Sequence, residues 1–286
     1  MKADSDYALG RNYLANYRRD GIAVVRGVFN TAEVATLATA FDHQYATGLA
    51  HPWDFRHGNL MVRVGPDPVL GRIVRMVQWP SYGDPVLAAW RTDRRLFELL
   101  APLLGPDIKQ IINQLHWKPA GSLSADFAFH QDARFRKPRA CYRNLAHSYV
   151  QTGIAVDAHT SDSGALRVLP GSHRLGEVDL GADPVMGAGA PEDALRRAGL
   201  DPGALVMVEL EPGDVALWSP FLVHGSGRNR SPHDRRFYLN GYVRAADCDR
   251  GEWAWRGGEP CPLGAPVLVH YEQLLDRPGP HCVEPR

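Results

Sequence analysis

The sequence predicts an α+β protein, mainly β, with helices in front and antiparallel strands behind. Three observations predict it. Helical periodicity is confined to the residues before 108, and from Ile108 onward the apolar pattern shortens to that of strands. Pro-Gly, Gly-Ser and Pro-Gly-Asp turn signals punctuate the later half. No βαβ alternation runs through it, so the strands are expected to close as a sandwich or barrel.

Taken in order, "RNYLANYRRD" (11–20) sets Tyr13, Leu14 and Tyr17 at helical spacing, and Asp20-Gly21 ends that helix. "IAVVRGVF" (Ile22 to Phe29) is rich in β-branched residues and reads as a strand. "NTAEVATLATAFDHQYA" follows with Asn30 or Thr31 as N-cap and Glu33 in the first turn, a helix. Residues 85–104 read as a further helical region stopped by Gly105-Pro106. "IKQIINQLHWKP", "SYVQTGIAVDAH", "GALRVLPGSH", "LVMVELEPGDVALWSP" and "RRFYLNGYVRA" are the strand runs. A Gly/Ala/Pro-rich insertion, 181–203, interrupts them and contains a short helix at about 191–198, the composition of a surface loop or a lid. The expected organisation is one domain over 1–286. A helical N-terminal part covers about 1–107, a β core about 108–246 carries the insertion, and a C-terminal extension covers 247–286.

At 286 residues the chain is long enough to bury a sizeable core. Its 32 Lys plus Arg cancel 32 Asp plus Glu, so no global charge calls for nucleic acid or an anionic membrane. Clusters such as "RTDRRLFELL" (Arg91 to Leu100) read as solvated helix faces. Cys141, Cys248, Cys261 and Cys282 show no CxxC spacing and fit a reduced, cytoplasmic setting. The polar N-terminus does not resemble a signal peptide, and no apolar run approaches a membrane span. The partner expected is a small molecule, bound by a monomer or homodimer.

The chemistry starts at "FHQDARFR" (129–136). In an extended segment His130 and Asp132 project to the same side, as two ligands of one metal would, although an HxD also arises by chance among twelve histidines. The candidate third ligand is His224, which follows a strand and opens a Gly/Ser/Asn-rich turn. Arg235, eleven residues later, shares a strand face with Phe237 and Leu239, so it points inward and needs an anionic partner. Two histidines and one carboxylate make the triad of non-haem Fe(II) oxygenases, which leaves coordination positions open. The distal carboxylate of 2-oxoglutarate would suit the inward arginine.

On these stretches the chain resembles the phytanoyl-CoA dioxygenase family of Fe(II)/2-oxoglutarate oxygenases. The matching segments are "RDGIAVVRGVFNTAEV", "WKPAG" before "FHQDA", "GIAVDAHTSDSGALRVLPGSHRLG" and "ELEPGDVALWSPFLVHGSGRNRSPHDRR", spread from about residue 19 to 244. The resemblance implies a double-stranded β-helix, a jelly-roll or cupin-like barrel, with N-terminal helices packed on one sheet and a lid-like insertion. It implies Fe(II) on His130, Asp132 and His224, and 2-oxoglutarate held by Arg235, assisted by Ser226, with His116 as a further polar contact. O2 is the third reactant. The implied reaction hydroxylates an unactivated C–H bond of a small or mid-sized metabolite, such as a natural-product intermediate, and releases succinate and CO2.

Phe129, Tyr149 and Trp218 are candidate substrate-pocket residues as well as candidate core. Arg134, in a basic stretch with Arg136, Lys137, Arg139 and Arg143, is open to two readings: a contact for an anionic substrate, or a solvated loop. His147, His159 and His233 read as exposed, His173 as part of a turn, and Arg236 as a surface residue. Gly153 stands where relatives often carry tryptophan, and its missing ring is expected to widen the pocket or to shift how 2-oxoglutarate is packed. Halogenating relatives replace the HxD aspartate by a small residue; Asp132 is intact, which favours hydroxylation. A cupin-like isomerase or a non-catalytic binding barrel are the alternatives, and neither would need Arg235.

Overall fold

The computed structural model describes residues 12–181, 184–187, 191–269, 272 and 276–284. The polar start of the chain and most of the "GAGA" run lie outside the described residues. Helix α1 (Tyr13–Asp20) ends at Gly21, whose φ of 79° favours glycine and whose N–H returns to the Tyr17 carbonyl at 2.9 Å. Strand β1 (Ile22–Val25) is shorter than its β-branched run. Helix α2 (Thr31–Leu49) opens on a reciprocal cap. The Asn30 N–H donates to Glu33 Oε2 at 2.8 Å, and the Glu33 N–H to Asn30 Oδ1 at 3.0 Å.

The first departure from the sequence reading lies inside the part expected to be helical. Strands β2 (Asp54–His57), β3 (Leu60–Asp67) and β4 (Gly71–Gln78) form an antiparallel meander. "MVRV" and "IVRMV" each set one arginine among apolar, mostly β-branched residues, and without a clean alternation those charges hid the strands. Helices α3 (Pro85–Trp90) and α4 (Arg94–Leu104) follow. Arg91, between them, is not on a solvated face. It is buried, with its three nitrogens donating to Gln110 Oε1 at 2.7 Å, the Cys261 carbonyl at 3.0 Å and the Trp253 carbonyl at 2.7 Å.

The later half holds β5 (Ile108–Lys118), β6 (Phe127–His130), the single turn α5 (Leu145–Ser148), β7 (Tyr149–Ala155) and β8 (Leu166–Val168). Next come α6 (Asp193–Arg197), β9 (Val206–Val208), β10 (Val215–Trp218), β11 (His224–Ser226) and β12 (Arg235–Arg244). The C-terminal stretch contributes β13 (Glu252–Arg256), which pairs with β5, then β14 (Glu259–Pro260), and β15 (His281–Val283), which pairs with β2. It therefore extends the main sheet rather than trailing from it.

Among the described residues the strands form two antiparallel sheets of a double-stranded β-helix, or jelly roll. The larger runs β1-β10-β7-β12-β5-β4-β3-β2-β15, and the smaller β6-β11-β8-β9. The helices cover the outer face of the larger sheet. Leu37, Phe41, Leu87, Leu96 and Leu100 pack there against Leu115, Trp117, Ile154, Tyr238 and Tyr242. Between the sheets Leu166, Val168, Leu222, Ala216, Trp218 and Phe237 form a second core. One end of that inter-sheet space stays open as a cavity of about 450 Å³.

The insertion lies beside this cavity. The Ala128 N–H donates to the Val185 carbonyl at 2.8 Å, and the Gly187 N–H to the Asp126 carbonyl at 3.0 Å. Pro184, Val185 and Met186 thereby become part of the cavity wall. No helix of the described residues is long and apolar enough to cross a membrane.

Candidate metal centre

His130 and His224 are cross-strand partners, at the end of β6 and the start of β11, with ring centroids 4.2 Å apart. The same strand pair sets Ser226 opposite Phe127, one residue out of step. This bulge lets both Phe127 and His130 line the cavity, which strict alternation forbids. It also turns Phe129 away. That residue packs with Leu169, Leu195 and Val223 in a separate cluster, so the expectation of a pocket residue there is corrected.

Asp132 enters from a short 3₁₀ turn over Asp132–Phe135. Gln131 anchors the approach from the opposite face. Its amide donates to the Gly176 and Phe221 carbonyls at 2.8 and 2.6 Å and accepts from the Val178 N–H at 2.8 Å. The Asp132 carboxylate thus stands 3.7 Å from His130 Nε2 and 3.8 Å from His224 Nε2. One ligand atom from each of the three residues lies within 4.8 Å of the others.

The donor set suits a divalent metal. Each histidine donates its Nδ1–H to the carbonyl two residues back, Ala128 at 2.8 Å and Leu222 at 2.9 Å. Both Nε2 lone pairs are thereby fixed toward Asp132, the tautomer a metal requires. Burial pushes the His224 pKa down to about 4, so its ring is neutral at pH 7. Burial works against ionisation of Asp132, but His224, His130 and the Trp218 indole more than offset it and hold the carboxyl below the usual range. Trp218 Nε1 donates to Asp132 Oδ2 at 2.9 Å. Trp218 lines the cavity as expected, and its polar edge orients a ligand.

A second feature of the cavity is cationic. Arg235, the first residue of β12, is paired with Lys118, the last of β5. The two are 4% and 1% exposed. Lys118 Nζ donates to Ser226 Oγ at 2.6 Å and to the Gly164 and Gly227 carbonyls, and Arg235 Nη2 donates to the Gly164 carbonyl at 2.9 Å. Arg235 Nε is buried without a hydrogen-bond partner. Among the described residues no acidic side chain forms an ion pair with either. Two buried like charges opposite each other destabilise a sheet unless an anion joins them. Burial lowers the pKa of both, Arg235 to about 10 and Lys118 well below its ordinary value.

Lys118 escaped the sequence reading. The parity argument used for Arg235 would have found it, because Gln114, His116 and Lys118 alternate with the outward Leu115 and Trp117. His116 does line the cavity, with Nε2 3.0 Å from Gln114 Oε1 and a pKa lowered to about 3 by burial and Arg235.

The remaining expectations are corrected. Tyr149 is core beneath the cavity, its hydroxyl donating to Gln151 Oε1. Arg134 lines an outer cleft of about 630 Å³ that shares His130 and Phe135 with the inner cavity. Gly153 does not widen the pocket. A Cβ added there would stand 2.1 Å from Phe237 Cζ, so the Phe237 ring already fills the space. His159 is buried, not exposed, 4.6 Å from Phe237 in an edge-on contact.

A family model described as Phytanoyl-CoA dioxygenase matches residues 17–237. A probable alpha-ketoglutarate-dependent hypophosphite dioxygenase of Stutzerimonas stutzeri is 30% identical over 179 residues, 61% of this chain and 58% of that protein. An ectoine dioxygenase of Sphingopyxis alaskensis is 26% identical over 245 residues, 81% and 74% of the two chains. A dioxygenase of Epichloe uncinata is 28% identical over 144 residues, so the chain spans about half of that relative's length, 49%. Among solved structures, EctD from S. alaskensis with 2-oxoglutarate and 5-hydroxyectoine superposes with a TM-score of 0.64 at 22% identity, covering 92% of this chain and 91% of that one. The epimerase SnoN in complex with Fe3+, alpha ketoglutarate and nogalamycin RO gives 0.61 at 23% identity, covering 92% and 98%.

Proposed function

The chain belongs to the phytanoyl-CoA dioxygenase family, and from that premise we propose that it is an Fe(II)- and 2-oxoglutarate-dependent dioxygenase that hydroxylates an unactivated C–H bond of a small or mid-sized metabolite. The observation that carries this reading is the pairing, in one cavity, of a buried His-Asp-His cluster with the buried Arg235, which lacks an anion and has the buried Lys118 as its cross-strand neighbour. His130, Asp132 and His224 would hold the iron. Arg235 and Lys118, with Ser226 between Lys118 and the cavity, would hold the distal carboxylate of 2-oxoglutarate, with His116 as a polar wall. When bound, iron and 2-oxoglutarate supply the oxidising power, as O2 is consumed and 2-oxoglutarate becomes succinate and CO2.

The chain's own residues position and shield. The Ala128 and Leu222 carbonyls hold the Nδ1 proton of each imidazole and leave Nε2 turned toward Asp132, and Trp218 holds one carboxylate oxygen of Asp132. Phe237 and Trp218, stacked with centroids 6.2 Å apart, keep water from the inter-sheet side. The cavity, about 450 Å³ and shared with 2-oxoglutarate, lies in the lower part of the ~300–1,000 Å³ range of small-molecule sites. Four cysteines without disulfides accord with a reducing, cytoplasmic setting.

Anaerobic addition of Fe(II) and 2-oxoglutarate to the purified protein tests the proposal. A visible metal-to-ligand charge-transfer band is expected. Folded protein that binds Fe(II) yet gives no band refutes it.

A further inference from the structure

The cavity holds another buried cation that the proposed chemistry leaves unused. Arg136 follows the turn that carries Asp132, is 3% exposed, and lines the same cavity as the triad. Its guanidinium stands 5.8 Å from the centre of the Tyr149 ring. Its Nε and Nη1 are buried without a hydrogen-bond partner, and among the described residues no acidic side chain pairs with it. Arg91 shows what this fold does with an arginine buried for structure, because all three of its nitrogens have acceptors. Burying a guanidinium without an acceptor is costly, and a bound anion is what removes that cost.

The charges lining the cavity point the same way. Among the described residues that line it, Asp132 is the one carboxylate, set against Arg63, Arg136 and Arg235. Iron and 2-oxoglutarate carry opposite charges of equal size, so their arrival leaves Arg136 as unmatched as before. The two cationic poles are distinct. Arg235 donates to the Gly164 carbonyl beside Lys118, whereas Arg136 stands over the Tyr149 ring at the end of the turn that carries Asp132. Beside Arg136, Gln151 is buried and lines the cavity, with Oε1 taken by the Tyr149 hydroxyl. Its Nε2 takes no protein acceptor among the described residues, so it offers a second donor. The nearby wall is apolar, from Trp79, Ile111, Ile112, Phe135 and Leu239.

We infer that the hydroxylated substrate is a small carboxylic acid with an apolar body, its carboxylate held by Arg136 and Gln151 while its carbon skeleton reaches toward the triad. This deepens the dioxygenase reading and rests on it for one point, the placement of 2-oxoglutarate at the Arg235–Lys118 pole. One guanidinium and one amide match a monoanion, and the surrounding apolar side chains match a hydrocarbon or aromatic body.

The test is calorimetric titration of the full chain, loaded with Mn(II) and 2-oxoglutarate so that no turnover occurs. The probes are 3-phenylpropanoate, cyclohexanecarboxylate and octanoate, each against its primary amide. At least one acid is expected to bind the native protein about tenfold or more tighter than its amide. Arg136→Gln should level acid and amide while leaving 2-oxoglutarate affinity within about twofold, and Arg136→Lys should keep part of the preference. Arg235→Gln should do the reverse, losing 2-oxoglutarate and keeping the acid preference. Without ligands, Arg136→Gln should melt no lower than the native protein.

The inference is overturned if acids and amides behave alike on the native protein, including no binding of either. Retention of the preference by Arg136→Gln overturns it too. So does a loss of 2-oxoglutarate affinity as deep as that of Arg235→Gln, which would make Arg136 part of the cosubstrate site, or a lowered melting temperature, which would make it structural. Native protein that fails to bind 2-oxoglutarate but keeps an Arg136-dependent acid preference would sink the dioxygenase reading alone.

Discussion

Asp132 is held by contacts that make little sense without a metal. It is a carboxylate facing the Nε2 atoms of two imidazoles, and among the described residues the Trp218 indole is its one hydrogen-bond donor of usual length. Asp132→Ala is therefore expected to abolish both the charge-transfer band and succinate release, while leaving the melting temperature of the metal-free protein close to native. Wild-type turnover by that variant would remove Asp132 from the ligand set. Arg235→Gln and Lys118→Met are expected to act differently, each raising the 2-oxoglutarate concentration needed for half-maximal rate by about tenfold or more. That corresponds to losing a charge-assisted hydrogen bond of about 1.5–3 kcal/mol. Titrations of succinate release against 2-oxoglutarate distinguish the two behaviours. At this scale much was legible in the sequence. The HxD pair and the inward arginine have strand parity behind them, the third histidine is marked by the polar turn it opens, and Lys118 was readable by the same parity as Arg235. Arg136 was not, because it follows a 3₁₀ turn, where side-chain direction has no fixed period.

Strands set which side chains can meet, and β7 and β12 show how tightly. Gly153 on β7 is paired with Leu239 on β12, and the ring of Phe237 lies where a Gly153 side chain would be. Overpacking of this kind costs about 1–3 kcal/mol, so Gly153→Ala should lower the free energy of unfolding by that amount. Phe237→Leu should recover part of it, giving a coupling above ~0.5 kcal/mol in a double-mutant cycle. Denaturant melts of the four proteins measure this, and additive effects would show that the ring and the glycine do not share the space. The space beside Gly153 is thus filled from the neighbouring strand, a complementarity across the sheet that no single stretch of sequence displays. The β6 bulge is equally silent in sequence: an inserted residue leaves composition and local alternation intact while reversing Phe129 against Phe127. By contrast, the caps of α2 and the turn residues between strands speak through local chemistry, and those elements were readable in place.

Across the whole molecule the fold buries three imidazoles whose pKa values lie below the ordinary one, two of them lining the cavity. His116 is lowered to about 3, His224 to about 4 and His159 well below its ordinary value, all chiefly by burial. Each takes a proton near pH 6.5 once the chain unfolds, but stays neutral in the native state. Below that pH the unfolded chain holds more protons than the folded one, so stability must fall with falling pH. The stabilisation is complete above about pH 6.5 and erodes as the pH drops toward the folded values. Each histidine contributes a slope of up to ~1.4 kcal/mol per pH unit. The metal-free protein should therefore melt at progressively lower temperature from pH 7.5 through 6 to 5, well before its carboxylates titrate. His159 is the useful probe because it contacts Phe237 rather than the ligand cluster. His159→Gln should remove about one proton's worth of that slope and leave Fe(II) and 2-oxoglutarate binding in place. A native profile that is flat between pH 7.5 and 5, or a variant profile as steep as the native one, would mean that these rings share protons with solvent and that the cavity is wetter than its packing implies.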